Sequence, residues 1–201
     1  MFPDHTTKKK EIRSHYLKIR NALSIQEKEE KSSRIIQHLK ELKEFQTAKC
    51  LLIYLNYRSE AETIPFVKEQ LQRKDKRIFV PKVYGMDLQF REVTSISDVE
   101  EGYQGILEPG EECPEFFSQK IPISECLMIL PGTVFDKNCN RVGYGKGFYD
   151  RFMQKCPSMV GIGLGFECQI APFLPVEEHD YRMNALITET GFYRCDKREE
   201  N

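Results

Sequence analysis

Pro131-Gly-Thr-Val-Phe-Asp-Lys-Asn-Cys-Asn-Arg-Val-Gly-Tyr-Gly-Lys-Gly-Phe-Tyr-Asp150-Arg-Phe152 is a passage from strand to helix with a glycine-rich middle. Cys126-Leu-Met-Ile-Leu130, just before it, is a short apolar run between loop signals and reads as a buried strand. Phe148, Phe152 and Met153 then fall at i, i+4 and i+5, the spacing of a helix face turned to a core, so a helix is expected to open at Gly147. Gly143, Gly145 and Gly147 stand at alternate positions, where the backbone can adopt positive φ and bring successive N–H groups close to a ligand.

Such a loop before a helix suits an anion. Lys146 adds a positive charge inside it and Arg141 another at its mouth, both matched to phosphate. Asp150 follows within the first helical turn, placed to hold a hard cation such as Mg²⁺ if phosphate oxygens occupy the loop. The plainer alternative is that the glycines only turn the chain and Asp150 only complements the helix dipole. The loop is not a Walker A sequence, because Gly147 and not Ser or Thr follows Lys146. Nor is it the dinucleotide fingerprint, whose third glycine comes three residues after the second.

Outside this stretch the composition restricts the choices. The 201 residues, 40% of them hydrophobic, suffice for one α/β domain. Thirty basic and thirty-one acidic side chains leave a net charge of −1, so no overall field draws the chain to nucleic acid or to anionic membrane, and any anion site is local. The seven cysteines are scattered without a CxxC pair, which predicts reduced thiols in a cytoplasmic protein. His5, His15, His38 and His179 form no i, i+4 pair, so a structural zinc site is not expected. No apolar run approaches a membrane span, and nothing indicates an obligate protein partner.

From Thr7 to Leu23 the residues Ile12, Tyr16, Ile19 and Leu23 recur at helical spacing, and Lys9 and Arg13 share its polar face near the N-terminus. Ser24-Ile-Gln-Glu27 is a capping box opening a second helix, predicted to run to about Phe45. Cys50-Leu-Leu-Ile-Tyr-Leu55 is the most continuous apolar strand, of the kind a sheet covered on both faces contains. Ligands of open α/β sheets bind beyond strand C-termini, which makes Glu60 and Glu62 candidates for a polar contact. Ile64 to Arg73 reads as a helix; Arg77 to Val83 and Leu88 to Val93 read as a hairpin, with Pro81 marking an edge or irregular strand. Ser95 to Glu125 is polar and turn-rich, a candidate flap. Met159 to Phe166 alternates glycine with apolar residues, so one face of that strand either lets a ligand or a neighbouring backbone approach or simply packs tightly. Residues 194–201 are expected to form a flexible tail on a single domain covering 1–201. The fold class that results is α/β, a mostly parallel central sheet with helices on both faces.

Pro-Gly-x-x-Phe-Asp followed by Asn-Arg-Val-Gly-Tyr-Gly-Lys-Gly-Phe-Tyr-Asp-Arg-Phe resembles the signature of the 5-formyltetrahydrofolate cyclo-ligase family. Lys9-Lys-Glu-Ile-Arg13, Phe166-Glu-x-Gln169 and His179-Asp180 are similar to its terminal patterns. The resemblance implies an ATP- and Mg²⁺-dependent ligase that closes 5-formyltetrahydrofolate to 5,10-methenyltetrahydrofolate through a phosphorylated formyl group. It implies that ATP is held by Lys9, Lys10, Arg13, Arg141, Gly143, Tyr144, Gly145, Lys146, Gly147, Phe148 and Tyr149. Reduced folate would meet Leu55, Glu60 and the loop from Tyr144 to Phe148, with Lys146 and Arg141 as catalytic residues and Asp150 and Asp180 as metal ligands. Two positions depart from the family pattern: Asn184 stands where a further Asp is frequent, and Phe148 where Tyr is common. These departures motivate the alternative of a non-catalytic folate or nucleotide sensor. A sugar-phosphate isomerase or CoA transferase on a similar fold is a third reading.

Overall fold

The computed structural model describes residues 5–195. Along the chain run α1 (His5–Asn21), α2 (Ile25–Glu41), α3 (Lys43–Thr47), β1 (Cys50–Ile53), α4 (Ile64–Arg73), β2 (Arg77–Tyr84), β3 (Asp87–Val93), β4 (Val99–Glu101), β5 (Leu107–Pro109), β6 (Cys126–Leu130), β7 (Val134–Asp136), β8 (Arg141–Val142), α5 (Phe148–Gln154), β9 (Val160–Leu164), β10 (Ile170–Ala171), β11 (Ala185–Thr188) and β12 (Gly191–Arg194).

The central sheet has the order β12-β11-β9-β6-β1-β2-β3. From β11 to β2 its strands are parallel, and an antiparallel hairpin strand closes each edge. Alternation along β1 shows how both faces are buried. Leu51 and Ile53 pack with Ile35 and Leu39 of α2, Phe45 of α3 and Phe66 of α4, while Cys50 and Leu52 face Phe152 and Met153 of α5. Each fully buried Leu or Ile contributes about 1.5–3 kcal/mol by leaving water, which is why the expected α/β layering forms. No helix among the described residues is long and apolar enough to cross a membrane.

Ser24 and Glu27 make the expected capping box. The helix predicted to reach Phe45 instead breaks at Leu42, whose extended backbone (φ −73°, ψ 135°) lets its side chain enter the core before α3 begins. Pro81 lies in β2 but not on an edge strand. The register of β2 with β1 ends at Phe79, so Pro81 falls on an overhang where no ladder asks for its missing N–H. The glycine face of β9 serves packing: a Cβ on Gly161 would stand 2.7 Å from the Tyr181 ring, and one on Gly163 2.5 Å from Met183 Sδ.

A smaller sheet, β10-β7-β8, carries α1: Ile12 and Tyr16 pack on Val134, Val142, Ala171 and Leu174. The expectation of seven reduced cysteines is corrected here, because Cys139 and Cys195 are joined by a disulfide with a Cα–Cα distance of 6.1 Å. Cys139 lies in the turn between β7 and β8 and Cys195 just past β12, a proximity set by topology and invisible in their spacing. The other five cysteines are free thiols. Of the expected tail, Arg194 closes β12 and Cys195 is held by that disulfide, while 196–201 lie outside the described residues.

Candidate active site

After β1 the chain builds the sheet toward β2 and β3; from β6 it builds the other way, toward β9 and β11. At this reversal, beyond the C-terminal ends of β1 and β6, opens a cleft of about 690 Å³, the position at which open α/β sheets bind ligands. Among the residues lining it are Lys9, Lys10, Arg13, Leu55, Glu60, Arg141, the run from Gly143 to Asp150, and Asp180. One cleft therefore gathers every residue the sequence offered as an ATP, folate or metal contact except Glu62, whose N–H is bound by Ser32 Oγ at 2.9 Å and which does not line it.

One side of the cleft is built by α1 against the glycine loop. Arg13 Nε donates to the Gly143 carbonyl at 2.7 Å, and burial lowers the Arg13 pKa. Gly145 (φ +93°) and Gly147 (φ +64°) occupy backbone conformations that L side chains rarely adopt, and Gly147 is the residue at which α5 starts. Lys146 is exposed at the loop's tip, and among the described residues its Nζ has no hydrogen-bond partner. Its carbonyl accepts from Arg151 Nη1 at 2.8 Å.

Two ion pairs bracket the loop. Arg141, 7% exposed, donates from Nη2 to Asp150 Oδ1 at 2.8 Å, while its buried Nε is without a partner. Lys9 Nζ donates to Asp180 Oδ2 at 2.6 Å and to Glu177 Oε2 at 2.7 Å. Burial works against the Lys9 charge, but these hydrogen bonds more than offset it and leave the Lys9 pKa raised. Asp180 shares its immediate surroundings with Glu177 and His179, whose potential ligand atoms lie within 4.8 Å of one another. Asp150 is outside that cluster, yet it accepts from the N–H of Tyr181, the residue after Asp180, at 3.2 Å. Asn184 stands apart from the cleft: its side chain accepts from Gly161 N at 2.8 Å and from Tyr181 Oη at 3.1 Å, tying the start of β9 to the 181–184 segment.

The opposite end is an apolar slot closed by carboxylates. Leu55 and Tyr54 from the end of β1 face Pro81 and Val83 of the β2 overhang, with Leu88 and Ile106. Glu60, 6% exposed, accepts from Tyr57 N at 2.9 Å. Burial raises its pKa, against the opposing pull of the Tyr57 N–H, Arg20 and Tyr144. Glu108 of β5 is buried in the cleft wall, and its Oε1 accepts from Val83 N at 3.1 Å, capping the overhang that β1 leaves unpaired.

Sequence reasoning missed Glu108, the apolar wall and Arg20. For Arg20 a signal existed, since Lys9, Arg13 and Arg20 are four and seven residues apart and so share one helix face. Glu108 sits in the candidate flap, where no periodicity marked it.

Residues 5–189 match the profile of the 5-formyltetrahydrofolate cyclo-ligase family. The mouse 5-formyltetrahydrofolate cyclo-ligase is 28% identical, with 90% of this chain and 93% of that protein covered. The Haemophilus influenzae enzyme of the same name is 28% identical over 88% of this chain and 95% of its own. Among solved structures, the Aquifex aeolicus 5,10-methenyltetrahydrofolate synthetase superposes with a TM-score of 0.82 at 30% identity, covering 96% of this chain and 95% of the other. The corresponding Mycoplasma pneumoniae synthetase gives a TM-score of 0.70 at 25% identity, covering 90% and 98%.

Proposed function

The chain belongs to the 5-formyltetrahydrofolate cyclo-ligase family and is a ligase, and from this premise we propose how its cleft works: ATP and 5-formyltetrahydrofolate enter together and leave as ADP, phosphate and 5,10-methenyltetrahydrofolate. The observation that carries this reading is the meeting, in one cleft, of a glycine loop flanked by Lys9, Arg13, Arg141 and Lys146 with an apolar slot ending in Glu60. The first half suits a triphosphate; the second suits a flat ring whose adjacent N–H donors pair with a carboxylate.

In the proposed reaction the formyl oxygen attacks the γ-phosphorus of ATP. The bond from that phosphorus to the bridging oxygen breaks, and ADP departs. The activated carbon, now part of an iminium phosphate, is attacked by the neighbouring folate nitrogen, which gives up its proton as phosphate leaves with the former formyl oxygen. No protein nucleophile is needed. Positioning and charge neutralisation carry such a transfer, and Lys146, Arg141 and Arg13 are the groups that supply them along the loop.

The oxygen donors of Asp150 and Asp180, both lining the cleft, fit Mg²⁺. When bound there the ion would neutralise phosphate charge. Arg141 and Lys9, which now pair with those carboxylates, would then be released toward phosphate oxygens. Asn184 lies away from the cleft and Phe148 keeps its place in the wall, so neither departure supports the sensor reading.

The test is isotopic. Substrate carrying ¹⁸O in its formyl group should deliver the label to phosphate. Label appearing in water instead would exclude the phosphorylated intermediate.

A further inference from the structure

Arg20 is 1% exposed, and each edge of its guanidinium meets a different part of the cleft's frame. Nε donates to Ser59 Oγ at 2.9 Å, in the loop after β1. Nη1 donates to the Gly132 carbonyl at 3.0 Å, in the loop after β6, and Nη2 to Tyr144 Oη at 2.7 Å, in the glycine loop. Ser59 Oγ donates in turn to Asn21 Oδ1, so the arrangement is anchored again on the end of α1. Arg20 does not itself line the cleft. A charge buried this deeply is retained only where its hydrogen bonds are all answered, and an aliphatic side chain would fill a plain core position with less desolvation.

We propose that Arg20 is a positioning residue for folate recognition, fixing Ser59, Gly132 and Tyr144 so that the Glu60 carboxylate, next to Ser59 in the chain, stays aligned with the donor edge of the pterin. This rests on the reading of Glu60 as the folate contact. The electrostatics agree with the geometry. Glu60 is faced by Arg20 from α1, Tyr54 from the end of β1, Tyr144 from the glycine loop and Tyr149 from α5. Of these Arg20 is the cation, and it opposes the burial that favours the neutral acid. Removing it makes Glu60 take up its proton at higher pH, and a protonated Glu60 loses the paired acceptors a pterin needs.

The experiment measures binding of 5-formyltetrahydrofolate without ATP, by calorimetry across the acid range, for wild type, Arg20→Met and Arg20→Lys, with binding of a non-hydrolysable ATP analogue beside it. Arg20→Met should bind folate about 10- to 100-fold more weakly, with its acid limb moved to higher pH, while nucleotide affinity changes less than about twofold. Arg20→Lys, which keeps the charge and loses the fork, should restore the acid limb and only part of the affinity. Equal loss of both ligands, or an unmoved limb in Arg20→Met, would overturn the inference. If Arg20→Met does not fold, Tyr144→Phe is the substitute: it removes the hydroxyl between Arg20 and Glu60 and should also raise the limb, and an unmoved limb there would overturn the inference equally. Wild-type protein that binds no folate would overturn the reading of the site itself; a normal wild type beside an unshifted variant overturns only the role of Arg20.

Discussion

Arg13 lies against Gly145 so closely that a Cβ at residue 145 would stand 3.0 Å from Arg13 Nη2. Together with the bond from Arg13 Nε to the Gly143 carbonyl, this joins the first helix to a loop 130 residues later. This side of the cleft is thus a two-part construction, α1 on one hand and the glycine loop on the other.

Gly145→Ala is expected to spoil that joint. The new methyl meets the guanidinium, and φ of +93° is strained for any L side chain, at about 1–3 kcal/mol. Steady-state kinetics should show the apparent KM for ATP rising at least about tenfold, with thermal denaturation moved by only a few degrees. An unchanged KM would mean that the loop and α1 need not touch.

Lys146→Ala should separate chemistry from folding. Its exposed ammonium has no partner among the described residues, so unfolding should be unaffected, whereas kcat should fall about 10²- to 10³-fold, as for loss of one preorganised charge in a transfer step. Wild-type turnover in folded Lys146→Ala would remove this residue from the mechanism.

Glu60 sets an acid limit. Burial raises its pKa above that of an ordinary glutamate, so folate affinity should be held above that raised value and fall as pH drops through it. Glu60→Gln should bind folate weakly and without this limb. Titrating affinity against pH for both proteins checks the sign, and an identical limb in the two would assign it to another group.

The disulfide gives a count. Thiol titration of denatured, unreduced protein should find five thiols, rising after reduction to the seven of the sequence. Cys195→Ser should lower stability by about 2–4 kcal/mol, readable by denaturant unfolding, while leaving KM values in place. Seven thiols before reduction would contradict the Cys139–Cys195 link.

What the sequence made legible was local chemistry. Alternate glycines with Lys146 between them, the Ser24–Glu27 cap and the unbroken apolar run of β1 each state their structure in adjacent residues. The helix break at Leu42 was hidden, because residues on both sides keep helical spacing and only the core's demand for that side chain ends the helix. Of the two readings of Pro81, the edge strand fails because β3 closes that edge, whereas the irregular one fits, since β1 stops short of Pro81. Glu108 and the Cys139–Cys195 pair depend on segments brought together by the fold. Arg20 was legible as a helix-face position and illegible as a frame residue, because its three acceptors come from three separate loops.

The central claim is that this cleft joins folate cyclisation to ATP. The most direct measurement follows the absorbance of the methenyl product with 5-formyltetrahydrofolate present, supplying ATP and Mg²⁺ together, singly and not at all. A rise that appears only when both are supplied, with one phosphate released per product formed, is the predicted result. A rise without ATP, or none with both present while folate binds normally, would contradict it.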